Sequence, residues 1–98
     1  MGIVSFGSAG SEDIFDGVAS KKARRTCPQQ LWAIAARKLD QLNNVARLRD
    51  LAFPPNNHLE ALKGDRRGQH SIRINDQYRI CFVWTDNGPA DVEIVDYH

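Results

Sequence analysis

The last three residues of the sequence, Asp96, Tyr97 and His98, place an acid, a phenol and an imidazole side by side. Residues at a chain end are usually poorly ordered, so three groups that can exchange protons are unexpected there. The β-branched residues Ile94 and Val95 come directly before them and indicate a strand that holds the three side chains in place. This end of the strand is therefore a candidate for general acid–base chemistry.

A basic loop that contains glycine precedes the strands. Residues 58–70 read HLEALKGDRRGQH, in which Lys63, Arg66 and Arg67 lie beside Gly64 and Gly68. Ammonium, guanidinium and backbone N–H groups of such a loop can approach a phosphate. A run of this kind is more often a solvated loop, and the GxxxxGK[ST] pattern of a P-loop is absent. The loop alone is thus a weak signal for phosphate binding.

The second half of the sequence has the pattern of β-structure. Residues 71–74, 78–85 and 90–96 are rich in β-branched and aromatic residues. Turn-forming residues occupy 75–77 and 86–89 between them. These segments predict an antiparallel meander formed by two successive hairpins.

The first half of the sequence is mainly helical in pattern. Ser11 is predicted to cap a helix that ends near residues 17–20, and Pro28 to begin the longest helix, which continues to about residue 43. Residues 45–51 suggest a further short helix, and residues 3–6 a strand that joins the sheet. Helices followed by strands predict an α+β fold with the helices on one face of a small, mainly antiparallel sheet.

The alternation of side chains along the predicted strands separates two faces of the sheet. Ile72 and Ile80 point to one face, which is apolar enough to pack against the helices, whereas Arg73 and Arg79 point to the other. An antiparallel pairing of the last two strands would bring the terminal acid, phenol and imidazole towards Arg79. We therefore expect the working surface on the face that carries these arginines.

This combination of groups has the chemistry that a ribonuclease without metal requires. A base must accept the proton of the 2′-hydroxyl, cations must stabilise the pentacoordinate phosphorane, and an acid must protonate the 5′-oxygen. An imidazole, a phenol and several guanidinium or ammonium groups can supply these roles.

The composition excludes several other classes of protein. A net charge of +1 gives no general case for nucleic-acid binding, so that case depends on local clusters of cations. Cys27 and Cys81 lack the spacing of a zinc site or a disulfide scaffold. No signal peptide is recognisable, and no apolar stretch approaches the roughly 20 residues of a membrane span. We expect a cytoplasmic protein that does not enter a membrane.

A second basic cluster, KKARR, occupies residues 21–25. Its pattern is more typical of an exposed connector or a helix start than of a core element. Its cations can form an electrostatic contact with a partner, and a soluble flexible linker is equally compatible with the sequence. The cations are Lys21, Lys22, Arg24 and Arg25.

Residues 59–98 resemble the HigB toxins of bacterial toxin–antitoxin systems, within the RelE superfamily. The resemblance is specific in LEALKGDRRGQHSIRINDQYRICFVW, residues 59–84, and in the terminal VEIVDYH. It implies one compact RelE-like α+β domain over residues 1–98. It also implies an endoribonuclease that cuts mRNA on translating ribosomes without metal or another cofactor, leaving a cyclic phosphate and a free 5′-hydroxyl. The implied partner is a HigA-type helix-turn-helix antitoxin, which would provide any contact with DNA.

The resemblance also assigns roles to individual residues. Lys63 and Arg79 fall on positions that contact the scissile phosphate in such toxins, and Asp96, Tyr97 and His98 fall on the terminal catalytic motif. Less secure matches suggest phosphate or ribosomal RNA contacts for Arg66 and Arg73, and Arg67 of the same loop is a further candidate for RNA binding. For the cations of residues 21–25, the resemblance suggests a contact with ribosomal RNA or a docking site for the antitoxin.

One position departs from the family pattern. Some HigB toxins have a functional histidine three residues before the lysine, where this chain has Glu60 and a nearby His58. Glu60 or His58 is then the partner in acid–base chemistry, or His98 acts with Tyr97 alone. The alternative function is a catalytically weakened module of the same fold that binds RNA or an antitoxin.

Overall fold

The computed structural model describes residues 2–97. The helices of this part of the chain come first: α1 (Ala9–Asp16), α2 (Lys21–Thr26) and α3 (Trp32–Asn44). The strands follow: β1 (Glu60–Ala61), β2 (His70–Arg73), β3 (Tyr78–Thr85) and β4 (Gly88–Asp96). Short 3-10 segments connect these elements at Gln29–Leu31, Leu48–Ala52, Pro55–Asn57 and Gly64–Arg66.

The strands form an antiparallel sheet in the order β1-β2-β3-β4, which confirms the predicted meander. At the turn from β2 to β3, the side-chain oxygen of Asn75 accepts hydrogen bonds from the backbone N–H groups of Gln77 and Tyr78. At the next turn, the hydroxyl of Thr85 donates to the carbonyl of Gly88. The turn residues recognised in the sequence therefore set the register of both hairpins.

The N-terminal segment lies along the outer edge of β4. Phe6 forms an isolated parallel bridge with Val92, and the N–H of Val92 donates to the carbonyl of Ser5 at 3.0 Å. The predicted strand at residues 3–6 is thus reduced to a bridge, although it joins an edge of the sheet as expected. This segment covers backbone groups that β4 would otherwise expose at an open edge.

Helix α1 begins earlier than the sequence predicts. Its N-cap is Ser8, whose hydroxyl accepts a hydrogen bond from the N–H of Ser11 at 3.2 Å. Ser11 is instead buried, and its hydroxyl accepts from the N–H of Ile94 in β4 at 2.9 Å. The predicted end of the helix is confirmed, because Gly17 closes it in the left-handed conformation, with φ 76°.

The KKARR segment is helical, which agrees with the helix start that its pattern allowed. Ser20 caps α2 by accepting a hydrogen bond from the N–H of Ala23, and Ala23 is buried. Close packing against α1 fixes α2, because a side chain at Gly10 would meet the Thr26 hydroxyl at 2.0 Å and the Lys22 carbonyl at 2.5 Å. The flexible-linker interpretation of this segment is therefore wrong.

The predicted helix start at Pro28 is also displaced. Cys27, the residue before proline, is extended, as the proline ring requires, and it ends α2. A 3-10 turn follows Pro28, and α3 begins only at Trp32. The predicted short helix at 45–51 is a 3-10 segment, Leu48–Ala52, and the two-residue strand β1 was not predicted.

The core lies between the helices and one face of the sheet, which confirms the predicted α+β class. Its largest fully buried side chains come from both layers and include Leu39, Leu42, Leu51, Ile72, Ile80, Phe82 and Val92. None of the helices in residues 2–97 has the length and hydropathy needed to cross a membrane.

We predict that the contact between α1 and β4 through Ser11 is a strong stabilising interaction. Ser11→Ala leaves the buried N–H of Ile94 without its acceptor and should lower the free energy of unfolding by about 1–3 kcal/mol. Ser5→Ala is the matched control, because the N–H of Asp91 that it leaves is exposed and can bind water, so the loss should be under about 0.5 kcal/mol. Urea unfolding measures both values, and equal losses would contradict this role of Ser11.

Candidate active site

Arg79 is the central residue of the outer face of the sheet, the face turned away from the helices. It is only 8% exposed, so this face carries the residue in a buried position. Its Nε donates to the hydroxyl of Ser71 at 2.7 Å, and one terminal nitrogen donates to the carbonyl of His58 at 2.5 Å. The guanidinium is therefore held in one orientation from two sides.

The 3-10 segment Pro55–Asn57 positions the carbonyl that Arg79 uses. His58 follows this segment in the left-handed conformation, with φ 46° and ψ 55°. The buried Asn57 anchors the segment, because its amide donates to the carbonyls of Leu51 at 3.0 Å and Phe53 at 3.1 Å. Lys38 of α3 donates to the amide oxygen of Asn57. The orientation of Arg79 thus depends on a network that begins in the longest helix.

An acid and a phenol lie beside the Arg79 guanidinium. Strand β1 pairs Glu60 with Ser71, and this register brings the Glu60 carboxylate to 3.9 Å from a terminal nitrogen of Arg79. The guanidinium carbon lies 5.8 Å from the centre of the Tyr97 ring. Because the nearest carboxylate is half exposed and beyond hydrogen-bond distance, this buried cation is a favourable position for another anion.

The terminal acid and phenol face opposite sides of the sheet. Asp96 is paired with Tyr78 in the register of β3 and β4, and its carboxylate accepts a hydrogen bond from the Gln77 amide at 3.0 Å. The N–H of Tyr97 donates to the carbonyl of Gln77 at 2.7 Å. Burial first, and then the charge of Asp96 and the thiol of Cys27, raises the pKa of Tyr78. Only Tyr97 of this pair therefore lies against Arg79, and His98 is outside the described residues.

The basic loop contributes cations of two kinds. Arg66 donates to Glu93 at 3.2 Å and to Gln69 at 3.1 Å, so its guanidinium is fixed at the edge of the outer face. Lys63 and Arg67 are exposed, and they make no ion pair within residues 2–97. The loop therefore presents two mobile charges and one fixed charge to an anion in solution.

Two other predicted cationic groups have different relations to Arg79. Arg73 lies directly opposite Arg79 across β2 and β3, and it is paired with Asp76. The cations of α2, by contrast, are exposed on a helix that packs against α1. Arg73 thus extends the site along the sheet, whereas the α2 cations form a separate basic surface.

The main residues that the sequence did not reveal are those that position Arg79. Ser71 lies two residues before Arg73 and therefore on the same, outer face. A polar residue at this position of a strand was a visible signal of a partner for a polar neighbour. Nothing in the spacing of Asn57 distinguishes a buried anchor from an exposed turn residue. His58 is exposed, and it contacts Arg79 through its backbone carbonyl rather than through its imidazole ring.

A model of the family described as the RelE-like toxin of the type II toxin–antitoxin system HigB matches residues 13–98. The chain belongs to this family. The match includes the arginine site, the basic loop and the terminal motif, so it confirms the resemblance that residues 59–98 suggested. The toxin is therefore a component of a type II toxin–antitoxin system.

Two relatives are similar over more than half of the toxin. Toxin HigB-1 of Vibrio cholerae serotype O1 (strain ATCC 39315 / El Tor Inaba N16961) is 40% identical over 65 residues, which are 66% of this chain and 68% of that protein. An uncharacterized protein of Haemophilus influenzae (strain ATCC 51907 / DSM 11121 / KW20 / Rd) is 40% identical over 60 residues, or 61% of this chain and 59% of that protein.

Solved structures support the fold. The YoeB-YefM complex from Staphylococcus aureus contains a chain with a TM-score of 0.54 and 19% sequence identity, and the alignment covers 100% of the toxin and 97% of that chain. At this level of identity the similarity concerns the fold alone, and it agrees with a RelE-like α+β arrangement.

We predict that neither thiol of the toxin takes part in its chemistry, although Cys81 is close to the arginine site. Burial raises the pKa of Cys81, and Arg66 and Arg79 only partly oppose that shift. Burial also raises the pKa of Cys27. At about pH 8 the folded toxin should react with Ellman's reagent far more slowly than the unfolded chain. Rapid reaction of one thiol in the folded toxin, lost in Cys81→Ser, would contradict this prediction.

Proposed function

We propose that the toxin is an endoribonuclease that cuts mRNA on translating ribosomes and so inhibits growth. The observation that supports this proposal most directly is the fixed Arg79 guanidinium, with Glu60 and Tyr97 beside it. A buried cation that neutral acceptors orient can bind a phosphate without first reorganising, which is the arrangement that favours a transition state with developing negative charge. Family membership makes RNA the expected source of that phosphate.

The reaction is an attack of the 2′-oxygen on the adjacent phosphorus. The 2′-hydroxyl transfers its proton to a base, the new bond between the 2′-oxygen and phosphorus forms, and the bond from phosphorus to the 5′-oxygen breaks. An acid gives a proton to the departing 5′-oxygen. The products are a 2′,3′-cyclic phosphate and a 5′-hydroxyl, and Arg79 stabilises the charge on the phosphorane oxygens.

Glu60 is the base in this proposal. Its carboxylate lies on the same face as Arg79 and is half exposed, so a 2′-hydroxyl of a phosphate bound at Arg79 can approach it. Tyr97 is the acid within residues 2–97. It directly follows β4, at the side of the sheet opposite to β1, and its ring lies beside Arg79. His98, by its family position, is the other candidate for this proton transfer.

The cations around this centre bind the rest of the RNA backbone. Lys63 reaches the scissile phosphate as a flexible point charge, since it is exposed and belongs to the loop that leads into β2. Further contacts with the phosphates of mRNA or ribosomal RNA come from Arg66, Arg67 and Arg73. The cations of α2 contact ribosomal RNA on a separate surface.

The partners in this proposal are the ribosome, mRNA and an antitoxin. A type II system pairs the toxin with a protein antitoxin, and we propose the HigA type, which carries a helix-turn-helix domain. The antitoxin would mediate any contact of the complex with DNA. The site of action is the cytoplasm, where translating ribosomes are found.

We predict that toxicity depends on Arg79 and Tyr97. Arg79→Ala, and separately a deletion of residues 97–98, should abolish growth arrest and the appearance of cuts within reading frames, mapped by sequencing RNA 5′-ends. Arg49→Ala is the matched control because Arg49 is exposed on a 3-10 segment remote in sequence from the site. The deletion leaves all of β4 in place, so it remains informative if Arg79→Ala fails to fold. Arrest that survives both changes would support the non-catalytic alternative.

We predict that Glu60, not His58, is the base that accepts the proton of the 2′-hydroxyl. Glu60→Gln should reduce the rate of mRNA cleavage in a reconstituted translation system by about 10²-fold or more, because an amide cannot accept the proton of the 2′-hydroxyl. His58→Asn, which tolerates the left-handed conformation, keeps the carbonyl that Arg79 needs and should change the rate by less than about threefold. The reverse result would assign the base to His58, and two unaffected variants would assign it to the terminal residues.

A further inference from the structure

A cationic cavity lies between α3, the proline segment that precedes β1, and the turn that follows β2. Its volume is about 600 Å³, and it is open to solvent. Three cations contribute to its lining, namely Arg37, Lys38 and Arg73. Its apolar lining comes from Ile34, Pro54 and Ile74.

The charge of this cavity is not balanced by its own walls. No carboxylate is among the residues of 2–97 that line it. Asp76 pairs with Arg73 from outside the cavity, with a side chain that is 97% exposed. Burial lowers the pKa of Lys38, and the charge of Arg37 lowers it further. An anion in the cavity would offset the repulsion between these two cations.

The cavity is continuous with the arginine site by two routes. Arg73 lines the cavity and also lies directly opposite Arg79 in the sheet, where residues of neighbouring strands are about 5 Å apart. The segment 54–58 starts at the cavity, to which Pro54 contributes, and ends at the carbonyl that holds Arg79. A polyanion bound at Arg79 can therefore reach the cavity along Arg73.

We propose that this cavity is a second phosphate-binding subsite, which holds the RNA backbone on one side of the phosphate at Arg79. This inference rests on the proposed function, because it takes the strand at Arg79 to be RNA. Arg73 joins two cationic sites, the arginine site and the cavity. A polymer with regularly repeated negative charges can occupy both sites at once, whereas a ligand with a single carboxylate can occupy only one. Recognition through phosphates also makes the subsite independent of base sequence.

The subsite is tested with Arg37→Gln and the matched control Arg49→Gln. Arg37 lies on α3 and Arg49 on the 3-10 segment Leu48–Ala52, so both changes remove one exposed surface charge and neither removes a side chain that anchors Asn57. The probes are labelled 2′-O-methyl oligoribonucleotides, which cannot undergo 2′-attack: a trinucleotide and a decanucleotide, each of uridine and of adenosine. Fluorescence anisotropy measures the Kd over a range of salt concentrations.

We expect Arg37→Gln to weaken binding of both decanucleotides by about fivefold. The slope of log Kd against log salt concentration should fall by about 0.7, which is the value for one phosphate of a single strand. Trinucleotide binding should stay unchanged, because a probe of that length can be held at Arg79 alone. The control should leave every Kd unchanged.

Three outcomes would overturn the inference. An equal effect of Arg37→Gln and Arg49→Gln would show only general electrostatic attraction. An equal effect on the trinucleotide and the decanucleotide would place Arg37 in the central site. Equally tight binding of a polyglutamate decamer, with the same sensitivity to Arg37→Gln, would indicate a site for acidic peptides. Each of these results leaves the Arg79 and Glu60 tests of cleavage unaffected, so failure of the subsite is distinguishable from failure of the enzyme.

Discussion

The burial of the Arg79 guanidinium is the constraint on which the rest of the site depends. A buried charge without acceptors costs several kcal/mol, roughly 3–5 when a partner is removed, so the fold must surround it with polar groups. Ser71 supplies a hydroxyl from the neighbouring strand, and His58 supplies a backbone carbonyl from the segment ahead of β1. The left-handed conformation of His58 and the buried amide of Asn57 follow from this requirement, because together they direct and anchor that carbonyl.

Carboxylates of the toxin itself lie beside the cations that would bind the phosphates of the proposed RNA substrate. Arg79 is near Glu60, Arg66 is paired with Glu93, and Arg73 is paired with Asp76. These partly exposed pairs contribute little stability, typically about 0–1 kcal/mol each, so a polyanion can displace them at low cost. They also explain how neighbouring arginines coexist on one face in a chain with a net charge of only +1. The cationic face is therefore stable by itself, and its guanidinium groups can exchange their own carboxylates for the anionic groups of a bound polyanion, such as the proposed RNA substrate.

The sequence predicted the parts of the fold that depend on local patterns. The three long strands were recognisable because β-branched residues and turn residues alternate regularly, and Arg73 and Arg79 were correctly assigned to one face. The sequence did not reveal β1 or the roles of Ser71 and Asn57, since these depend on contacts between distant segments. Ser11 was taken for a helix cap because Ser8 and Ser11 both precede the apolar stripe of α1, and only the packing of α1 on β4 distinguishes them.

The alternation of β4 changes how the terminal motif should be interpreted. An acid and a phenol that are adjacent in sequence cannot both face Arg79 from a regular strand, because successive side chains point to opposite faces. Tyr97 lies at Arg79, whereas Asp96 binds the Gln77 amide. The Gln77 carbonyl accepts the N–H of Tyr97, so one residue of the β2–β3 turn holds both neighbours. The hydrogen bonds of Gln77 thus link both residues of the terminal motif to the β2–β3 turn, and the ring of Tyr97 is the one that lies beside the arginine.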